Sequence, residues 1–328
     1  MQFFVKVLRV CALPVGIACT LPAYSQSDYP TRSIRLVVPF APGGSTDQAS
    51  RVLAQKLSEQ MGHSVIIDNR PGANSNLGSE LVARAAPDGY TMLWNSSSLI
   101  FNRHIQQQVK LSYDMFRDFL PVALTATVPQ MLVVIPAMPV RSLQEFISHV
   151  RANASKLNYA SVGIGNIGHL TTMLFLNANK LSAEHIPYNS GSQAAYVDLL
   201  GGRTQFYFAT MASAVPFVKD NRLRAIAVTS LERSKTMPDV PTINESGMPK
   251  FEATAWQGLL APAKTPAHVI NKLNAEIMKA LKNQDLLNRY ELQGTLPLGS
   301  TPQAYGTYLK SEDARWGPII REAGIKAD

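Results

Sequence analysis

The nine residues Pro39 to Asp47 read Pro-Phe-Ala-Pro-Gly-Gly-Ser-Thr-Asp, and their types and spacing could bind an anion. They follow the β-branched apolar run Ser33–Val38, which predicts a buried strand, and precede apolar residues at helical spacing. A strand that turns directly into a helix presents unpaired backbone N–H groups, and these attract negative charge. The candidate ligand-binding residues of this turn are Phe40, Ala41, Gly43, Gly44, Ser45, Thr46 and Asp47.

This Pro39–Asp47 turn is not a phosphate-binding P-loop, because no Gly-Lys-Ser/Thr ends it. Asp47 has two interpretations. It could act as a catalytic acid, or it could stabilise the first helical turn through the helix dipole or a backbone N–H.

A second turn of the same kind follows the predicted strand Asn158–Val162. Its glycines, Gly163, Gly165 and Gly168, match the G-x-G-x-x-G fingerprint of dinucleotide sites, and Glu184 lies near the position of a ribose-binding acid. Alternatively, the glycines let the backbone approach a small ligand closely. Because a complete α/β block precedes this turn and the chain carries an export signal, we predict a small ligand and no cofactor. The candidate residues here are Ser161, Gly163, Gly165, Gly168 and His169.

Two further polar segments follow predicted strands, where α/β folds place ligands. These segments contribute the candidates Asn95, Ser96, Tyr188, Asn189 and Gly191, each of which could also belong to an ordinary polar loop. The sequence contains neither G-x-S-x-G nor H-E-x-x-H, and its six histidines lack metal-ligand spacing, so no metal site is predicted.

Strand and helix patterns alternate along most of the chain, which predicts an α/β fold with mainly parallel sheets in two blocks. In the second block, the capping box Ser142-Leu-Gln-Glu145 predicts a helix start. The tail differs, because Thr265-Pro266 and Thr301-Pro302 open long helical stretches at about 266–282 and 302–323 with no strand pattern between them. We expect the tail to pack on the first block. The chain would then cross between lobes near Thr125 and Ala253, giving lobe I (27–125 and 253–328) and lobe II (126–252).

The first 25 residues have the pattern of a secretory signal peptide, with Lys6 and Arg9 before an apolar stretch and a small-x-small site ending at Ser25. The alternative is a lipoprotein anchored at Cys19, which Gly16 disfavours because that position prefers a larger apolar residue. Both cysteines lie in this leader, so the mature chain must be held together by its core.

The formal net charge is +8, and removal of the leader leaves 29 basic and 23 acidic residues, a charge of +6. No adjacent Lys and Arg residues occur, and charges of both signs are scattered along the chain. Nucleic-acid binding needs clustered basic residues, so we predict no nucleic-acid partner.

The same residues resemble a known family. Tyr29-Pro30 and the Pro39–Asp47 turn are similar to the start of the Bug family, the extracytoplasmic solute receptors of tripartite tricarboxylate transporters. The similarity covers essentially the whole mature chain and is carried further by these segments: Asn69–Ala73, Ala86–Tyr90, Leu157–Ser161, Gly168–Leu170, Asp198–Gly202, Arg224–Thr229, Pro238–Thr242 and Gly258–Pro262.

The resemblance implies a periplasmic-binding-protein fold of type II, with two lobes that close on a small carboxylate. It also implies that the ligand is held mostly by backbone groups and waters of two loops, which match Ala41–Asp47 and Ser161–His169. Two positions depart from the family pattern: Asn189 stands where a lysine is common, and Ala209 where an acid is common. These departures disfavour an amino-acid or dicarboxylate ligand if the two positions line the cleft.

We therefore expect a monomeric periplasmic receptor, not an enzyme, that delivers a small carboxylate to the membrane subunits of a tripartite transporter. Two alternatives stay open. One is a sensory binding protein that presents its ligand to a membrane kinase. The other is an exported hydrolase that uses Asp47 or His169.

Overall fold

The computed structural model describes residues 29–107, 111–154, 156–189 and 191–327. The predicted signal peptide, its cleavage site at Ser25 and the alternative anchor Cys19 lie outside the described residues.

The strands alternate with helices through most of the described chain. The strands are β1 (Ile34–Val38), β2 (Val65–Asn69), β3 (Thr91–Ser96), β4 (Gln106–Gln107), β5 (Phe119–Val134), β6 (Asn158–Ser161), β7 (Glu184–Pro187), β8 (Phe206–Thr210), β9 (Arg224–Val228), β10 (Thr254–Pro262), β11 (Leu296–Pro297) and β12 (Lys326–Ala327). The helices are α1 (Ser45–Met61), α2 (Asn76–Ala83), α3 (Ser98–Phe101), α4 (Met115–Asp118), α5 (Leu143–Ala152), α6 (Ile167–Ala178), α7 (Ser192–Leu200), α8 (Met211–Lys219), α9 (Ala267–Ala280), α10 (Gln284–Leu292) and α11 (Pro302–Glu322).

Two lobes share their sheets through exchanged strands, which confirms the predicted two-lobed α/β fold. The first lobe has the strand order β2-β1-β3-β10-β5, and the second has β7-β6-β8-β5-β9. In each order the fourth strand is antiparallel to its neighbours. In the first lobe the fourth strand is β10, which comes after the second lobe in the sequence. In the second lobe the fourth strand is β5, which begins in the first lobe. Each lobe is therefore completed by a strand that crosses the hinge.

β5 is one sixteen-residue strand that belongs to both sheets. Its residues up to Pro129 pair with β10. From Gln130 onward the strand pairs with β8 on one side, and from Met131 with β9 on the other. The change of partner thus falls between Pro129 and Gln130, and the return strand β10 begins at Thr254. The lobe limits predicted from the sequence, with crossings near Thr125 and Ala253, stay a prediction.

Several helix starts follow from local sequence. Both hydrogen bonds of the predicted capping box between Ser142 and Glu145 are present, and the Thr301 side chain accepts from the Ala304 N–H at the start of α11. Thr265 does not cap α9 as expected. Pro266 occupies the cap position, and the Thr265 hydroxyl instead donates to the carbonyl of Pro262.

The tail contains more structure than its sequence pattern predicts, because α10 and the short strand β11 lie between the two long helices. α9 and α10 pack on α1, and α11 packs on α3 and β5. Trp316 of α11 meets Phe101 edge-on, with ring centroids 5.1 Å apart. The tail is therefore part of the first lobe's core. Within the described ranges, no helix combines the length and apolarity needed to cross a membrane.

Gly258 in β10 supplies a test of this packing. A Cβ there would lie 2.3 Å from the Tyr305 hydroxyl and 2.9 Å from the carbonyl oxygen of Ala123. Since strand backbone and a buried ring cannot withdraw easily, we expect Gly258→Ala to lower the free energy of unfolding by about 1–3 kcal/mol. Thermal unfolding measures this as a lower Tm.

Gly306→Ala is the matched control. Gly306 lies within α11, and its Cβ would meet only Pro121 at an ordinary contact distance of 3.4 Å. Since alanine favours the helix by about 0.5–1 kcal/mol over glycine, we expect an equal or higher Tm. Equal losses in both variants would contradict the packing described for Gly258.

Candidate functional site

A cavity of about 500 Å³ lies between the lobes and is lined by residues of both. This volume is within the range of about 300–1,000 Å³ that is usual for small-molecule sites. Nine of the residues predicted from the sequence line it: Phe40, Ala41, Gly44, Ser45, Thr46, Ser96, Gly163, Asn189 and Gly191. The other predicted residues lie behind these or beside them, and are Gly43, Asp47, Asn95, Ser161, Gly165, Gly168, His169 and Tyr188.

The Pro39–Asp47 turn brings the N-terminus of α1 to the cavity. Gly44 is the N-cap residue and has no side chain, so no cap side chain accepts from the first N–H groups of α1. Ser45 and Thr46, whose N–H groups are among these, both line the cavity. The first helical turn therefore has donors available to an anion.

Asp47 holds this turn in place and does not face the cavity. Its carboxylate accepts from the Gly43 N–H and the Arg51 Nε, both at 2.9 Å, and from the Asn69 Nδ2 at 2.8 Å. Burial opposes ionisation of Asp47, but these donors outweigh it and hold its pKa below the ordinary value. The structure thus favours the stabilising role over the catalytic one.

The Ser161–His169 turn brings the start of α6 to the cavity, and its cap residue already accepts from one of the donors there. The Asn166 side chain accepts from the His169 N–H at 3.1 Å, and the Gly165 N–H donates to His169 Nδ1 at 3.0 Å. A dinucleotide pyrophosphate would need these donors free. Of the predicted residues here, Gly163 is the one that lines the cavity.

Gly165 and Gly168 serve close packing. A Cβ on Gly165 would lie 2.1 Å from Ile105 of the first lobe, and one on Gly168 would lie 2.7 Å from the Phe208 carbonyl oxygen of β8. The first close approach lets the lobes meet, and the second seats α6 on the sheet.

His169 and His185 stack at 4.0 Å behind the Ser161–His169 turn. His185 Nε2 is 2.6 Å from the hydroxyl of Ser161, which also accepts from the Gly163 N–H. Burial, helped by the neighbouring His185, lowers the pKa of His169 to about 3, and burial lowers the pKa of His185 to about 4. Both rings are therefore neutral at physiological pH, and they shape the turn from behind.

α7 contributes an open N-terminus to the cavity. Its N-cap residue is Gly191, which again offers no side-chain acceptor, and the following residues Ser192 and Gln193 also line the cavity. A Cβ on Gly191 would lie 3.6 Å from the Cβ of Ala41, so the starts of α7 and α1 approach each other across the cleft. This opposed pair of helix N-termini was not predicted from the sequence, although both glycines were among the candidates.

The remaining candidates also divide into residues that line the cavity and residues that do not. Ser96 lines the cavity, whereas Asn95 is buried and donates to Ser79 Oγ. The polar residues Asn95 and Ser96 belong to β3 itself and do not follow it as expected. Asn189 lines the cavity, and the Tyr188 hydroxyl turns away to donate to Asp198. Ala209 is fully buried within the second lobe.

A strained loop at the cavity was missed by sequence reasoning. Ala73, Asn74 and Ser75 line it with φ values of +45°, +49° and +78°. Each such conformation costs a non-glycine residue about 1–3 kcal/mol and persists only where surrounding structure enforces it. Asn74 Nδ2 donates to Asn102 Oδ1 at 2.9 Å and, across the cleft, to the Gly165 carbonyl at 3.3 Å. The dipeptide Pro71-Gly72 indicates a turn here, but it does not predict the positive φ values of the three residues that follow.

The second lobe adds an uncharged floor to the cavity. Tyr207 of β8 lines it, and burial raises the pKa of its phenol, so that the hydroxyl stays protonated. Within the described residues, no group of three or more His, Cys, Asp or Glu side chains could hold a metal ion.

Comparison with known proteins agrees with this geometry. The family model described as "Tripartite tricarboxylate transporter family receptor" matches residues 49–325. The chain belongs to this receptor family. It is 38% identical to the UPF0065 protein in the tcbD-tcbE intergenic region of Pseudomonas sp. strain P51. That match covers 98% of this chain and 95% of the Pseudomonas protein. It is 34% identical to Protein BugT of Bordetella pertussis, with 98% of both chains covered.

Solved structures of other family receptors share the fold. The structure described as "R. palustris Rpa4515 with adipate" has a TM-score of 0.87 at 33% identity, covering 92% of this chain and 100% of its own. MatC from Rhodopseudomonas palustris with bound malate has a TM-score of 0.80 at 31% identity, covering 89% of this chain and 100% of its own.

The buried histidine pair of this receptor predicts a pH dependence of stability. An unfolded histidine titrates near pH 6.5, whereas in the fold the pKa is about 3 for His169 and about 4 for His185. Below about pH 6.5 the unfolded chain binds protons that the folded chain does not, so stability falls as the pH falls. We expect this loss between about pH 6.5 and pH 5, above the ordinary range of carboxyl groups.

The double variant His169→Asn/His185→Gln should flatten that slope. Asn keeps an acceptor near the Gly165 N–H, and Gln keeps a polar atom near Ser161 Oγ, but neither side chain titrates. Denaturant unfolding at a series of pH values measures the slope. Parallel curves for the wild type and the double variant would contradict the assignment.

Proposed function

We propose that this protein is a periplasmic receptor that captures a small organic carboxylate between its lobes for a tripartite tricarboxylate-type transporter. The observation that carries the proposal is the opposed pair of uncapped helix N-termini, at Gly44 and Gly191, on one cavity. The adipate and malate bound by the related receptors are both carboxylates, which supports the same ligand chemistry here.

The energetics of such a site suit a transport receptor. A hydrogen bond from a neutral N–H to a carboxylate contributes about 1.5–3 kcal/mol net, and each helix dipole adds about 0.3–1 kcal/mol. Two bonds from each helix start approach the roughly 8 kcal/mol that micromolar affinity requires. No arginine is needed for affinity of this order.

The same arrangement couples binding to closure. A carboxylate between α1 and α7 accepts from both lobes only when the lobes are together, so the ligand favours the closed form. The hydrogen bond from Asn74 to Gly165 joins the lobes beside this position, where the backbone of Gly191 comes close enough to Ala41 that an added Cβ would touch it. We place the second-lobe anion contacts at Gly191–Gln193, because no cap side chain accepts from the first N–H groups of α7, whereas Asn166 accepts from one at the start of α6.

The proposal includes the absence of catalysis. Asp47 and His169, the two groups through which a hydrolase would act, face away from the cavity and are committed to the two turns. Conversion of a bound carboxylate to product by the purified protein would overturn this part.

The proposal also covers the cell biology of the protein. Residues 1–25 would direct export and be removed after Ser25, and the closed monomer would dock on the membrane subunits. The family of transporter receptors to which the chain belongs supports this assignment.

A substitution at Gly44 tests the carboxylate site. Gly44 has φ −74°, and its Cβ would meet only the Ala41 carbonyl oxygen at 3.6 Å, so side chains fit there. In Gly44→Asp the new carboxylate caps α1 and occupies the donors meant for the ligand. We expect at least a hundredfold loss of carboxylate affinity by calorimetry, corresponding to about 2.7 kcal/mol, together with an unchanged or higher Tm.

Gly44→Ala is the matched control, because it adds a Cβ without an acceptor. We expect it to bind within about threefold of the wild type, with a slightly lower Tm since alanine is a poor N-cap. Full affinity in Gly44→Asp, for a carboxylate found by a thermal-shift screen of aliphatic, aromatic and amino carboxylates, would refute the site.

Transport and sensing share this site but differ in a deletion strain. If the protein serves transport, deletion should abolish growth on the ligand as carbon source, and expression of the transporter subunits from an unrelated promoter should not restore growth. Restoration of growth by that expression would favour the sensory alternative, since the receptor would then be needed only to induce the genes.

A further inference from the structure

The lobes meet at Gly165 through residues outside the proposed anion site at Gly44 and Gly191. Asn74 Nδ2 of the first lobe donates to the Gly165 carbonyl oxygen at 3.3 Å. Ile105, also of the first lobe, lies against the same glycine, since a Cβ built on Gly165 would be 2.1 Å from Ile105 Cδ1. Both contacts join protein to protein, so they form whenever the lobes come together, with or without a ligand.

Hydrogen bonds to neighbouring groups fix the orientation of the Asn74 amide. Asn102 Nδ2 donates to the Asn74 carbonyl oxygen and to Asn76 Oδ1, both at 2.7 Å. Asn102 therefore turns its Oδ1 toward the Asn74 amide nitrogen, which donates to it at 2.9 Å. The carbonyl oxygen of Gly165 can only accept. The two N–H groups of Asn74 Nδ2 thus match two acceptors, one in each lobe, and are engaged by the protein itself.

The loop that carries Asn74 is held in place from its own lobe. All three residues of Ala73–Ser75 have positive φ values, which persist only where surrounding structure enforces them. Asn102 bonds both the backbone and the side chain of Asn74, and Asn76 Oδ1 also accepts from the Tyr113 hydroxyl at 2.7 Å. Since these bonds stay within the first lobe, the loop keeps its course when the lobes part.

The acceptor is equally fixed in the second lobe. The Gly165 N–H donates to His169 Nδ1 at 3.0 Å, and His169 stacks on His185. The φ of Gly165 is +73°, in the region that favours glycine. Donor and acceptor are therefore both in position before they meet, so little conformational freedom is lost when the contact forms.

We propose that Asn74 and Gly165 form a clasp that stabilises the closed receptor before a ligand is bound. A contact made only in the closed form raises the closed fraction of the free protein, and the apparent ligand affinity rises with that fraction. Loss of the clasp should therefore weaken every ligand by a similar factor. The inference rests on the proposed function for the choice of ligand alone, because the clasp contains no ligand group.

Asn74→Gly removes the donor and keeps the loop. Glycine adopts the φ of +49° at this position without strain, and no side chain is left to reach Gly165. Small-angle X-ray scattering of the ligand-free protein measures the separation of the lobes as the radius of gyration. We expect a larger radius of gyration for ligand-free Asn74→Gly than for the ligand-free wild type.

Ala73→Gly is the matched control. It also replaces a residue with positive φ, +45°, in the same loop, but it leaves the Asn74 donor in place. We expect the radius of gyration of the wild type. Thermal unfolding shows whether both variants are folded, and a loop made too flexible by glycine would affect the two variants alike.

Calorimetry measures the coupling of the clasp to binding, with adipate, malate and benzoate as probes together with any carboxylate found in the thermal-shift screen. For those that bind the wild type, we expect Asn74→Gly to lower the affinity about three- to tenfold, the loss typical of one hydrogen bond. The factor should be similar for each ligand. Ala73→Gly should change each affinity by less than about twofold.

The outcomes separate this inference from the proposed function. Equal radii of gyration for the free wild type and Asn74→Gly would overturn the clasp, as would an equal effect of Ala73→Gly. Unchanged affinity in Asn74→Gly would overturn the coupling, and a loss that differs from ligand to ligand would show that Asn74 acts by direct contact with the ligand. If no carboxylate binds, the proposed function fails, while the scattering of the free protein still decides the clasp.

Discussion

The N–H groups at the starts of α1 and α7 need an acceptor that their own cap residues do not supply, because Gly44 and Gly191 have no side chains. A side-chain cap accepts from one or two such donors at several other helix starts, among them α6, where Asn166 accepts from the His169 N–H. Unsatisfied donors are tolerable only where water or a ligand reaches them. The two glycine caps therefore need water or a ligand at this point, and the cavity between the lobes admits either.

Groups that do not line the cavity hold its two turns in place from behind. Asp47 ties the Pro39–Asp47 turn to Arg51 and Asn69, and the stacked His169 and His185 support the Ser161–His169 turn. Ionisable residues thus support the two turns, while the described residues that line the cavity are uncharged. β5 belongs to the sheets of both lobes, and β10 returns the chain from the second lobe to the first.

Several features of the fold and of the candidate site could be predicted from the sequence, because their causes are local. The β1–α1 turn, the capping box at Ser142 and the start of α7 follow from residues within a few positions of each other. The difference between the starts of α6 and α7 could not be predicted, because it depends on which side chain reaches which N–H. Both turns contain glycine, but only at α6 does a cap side chain, that of Asn166, accept from a helix N–H. The backbone of Ala73–Ser75 was also beyond prediction, since its positive φ values are enforced by Asn102, 27 or more positions away. The length of β5 depends on pairing with strands that come much later in the chain.

In the proposed site, binding of the carboxylate by helix dipoles and not by an ion pair has a consequence for ligand release. A carboxylate bound to an arginine in a dry cleft would be held by a strong, bidentate interaction, and the two partners would both lose hydration on closure. A carboxylate held between two helix starts is bound half by each lobe, so opening removes half of its hydrogen bonds at once. One contact that then opposes opening is the hydrogen bond from Asn74 to Gly165, made by a loop that already carries backbone strain. Since that strain favours any rearrangement that relieves it, a partner that separates Asn74 from Gly165 would both open the cleft and weaken the ligand's hold.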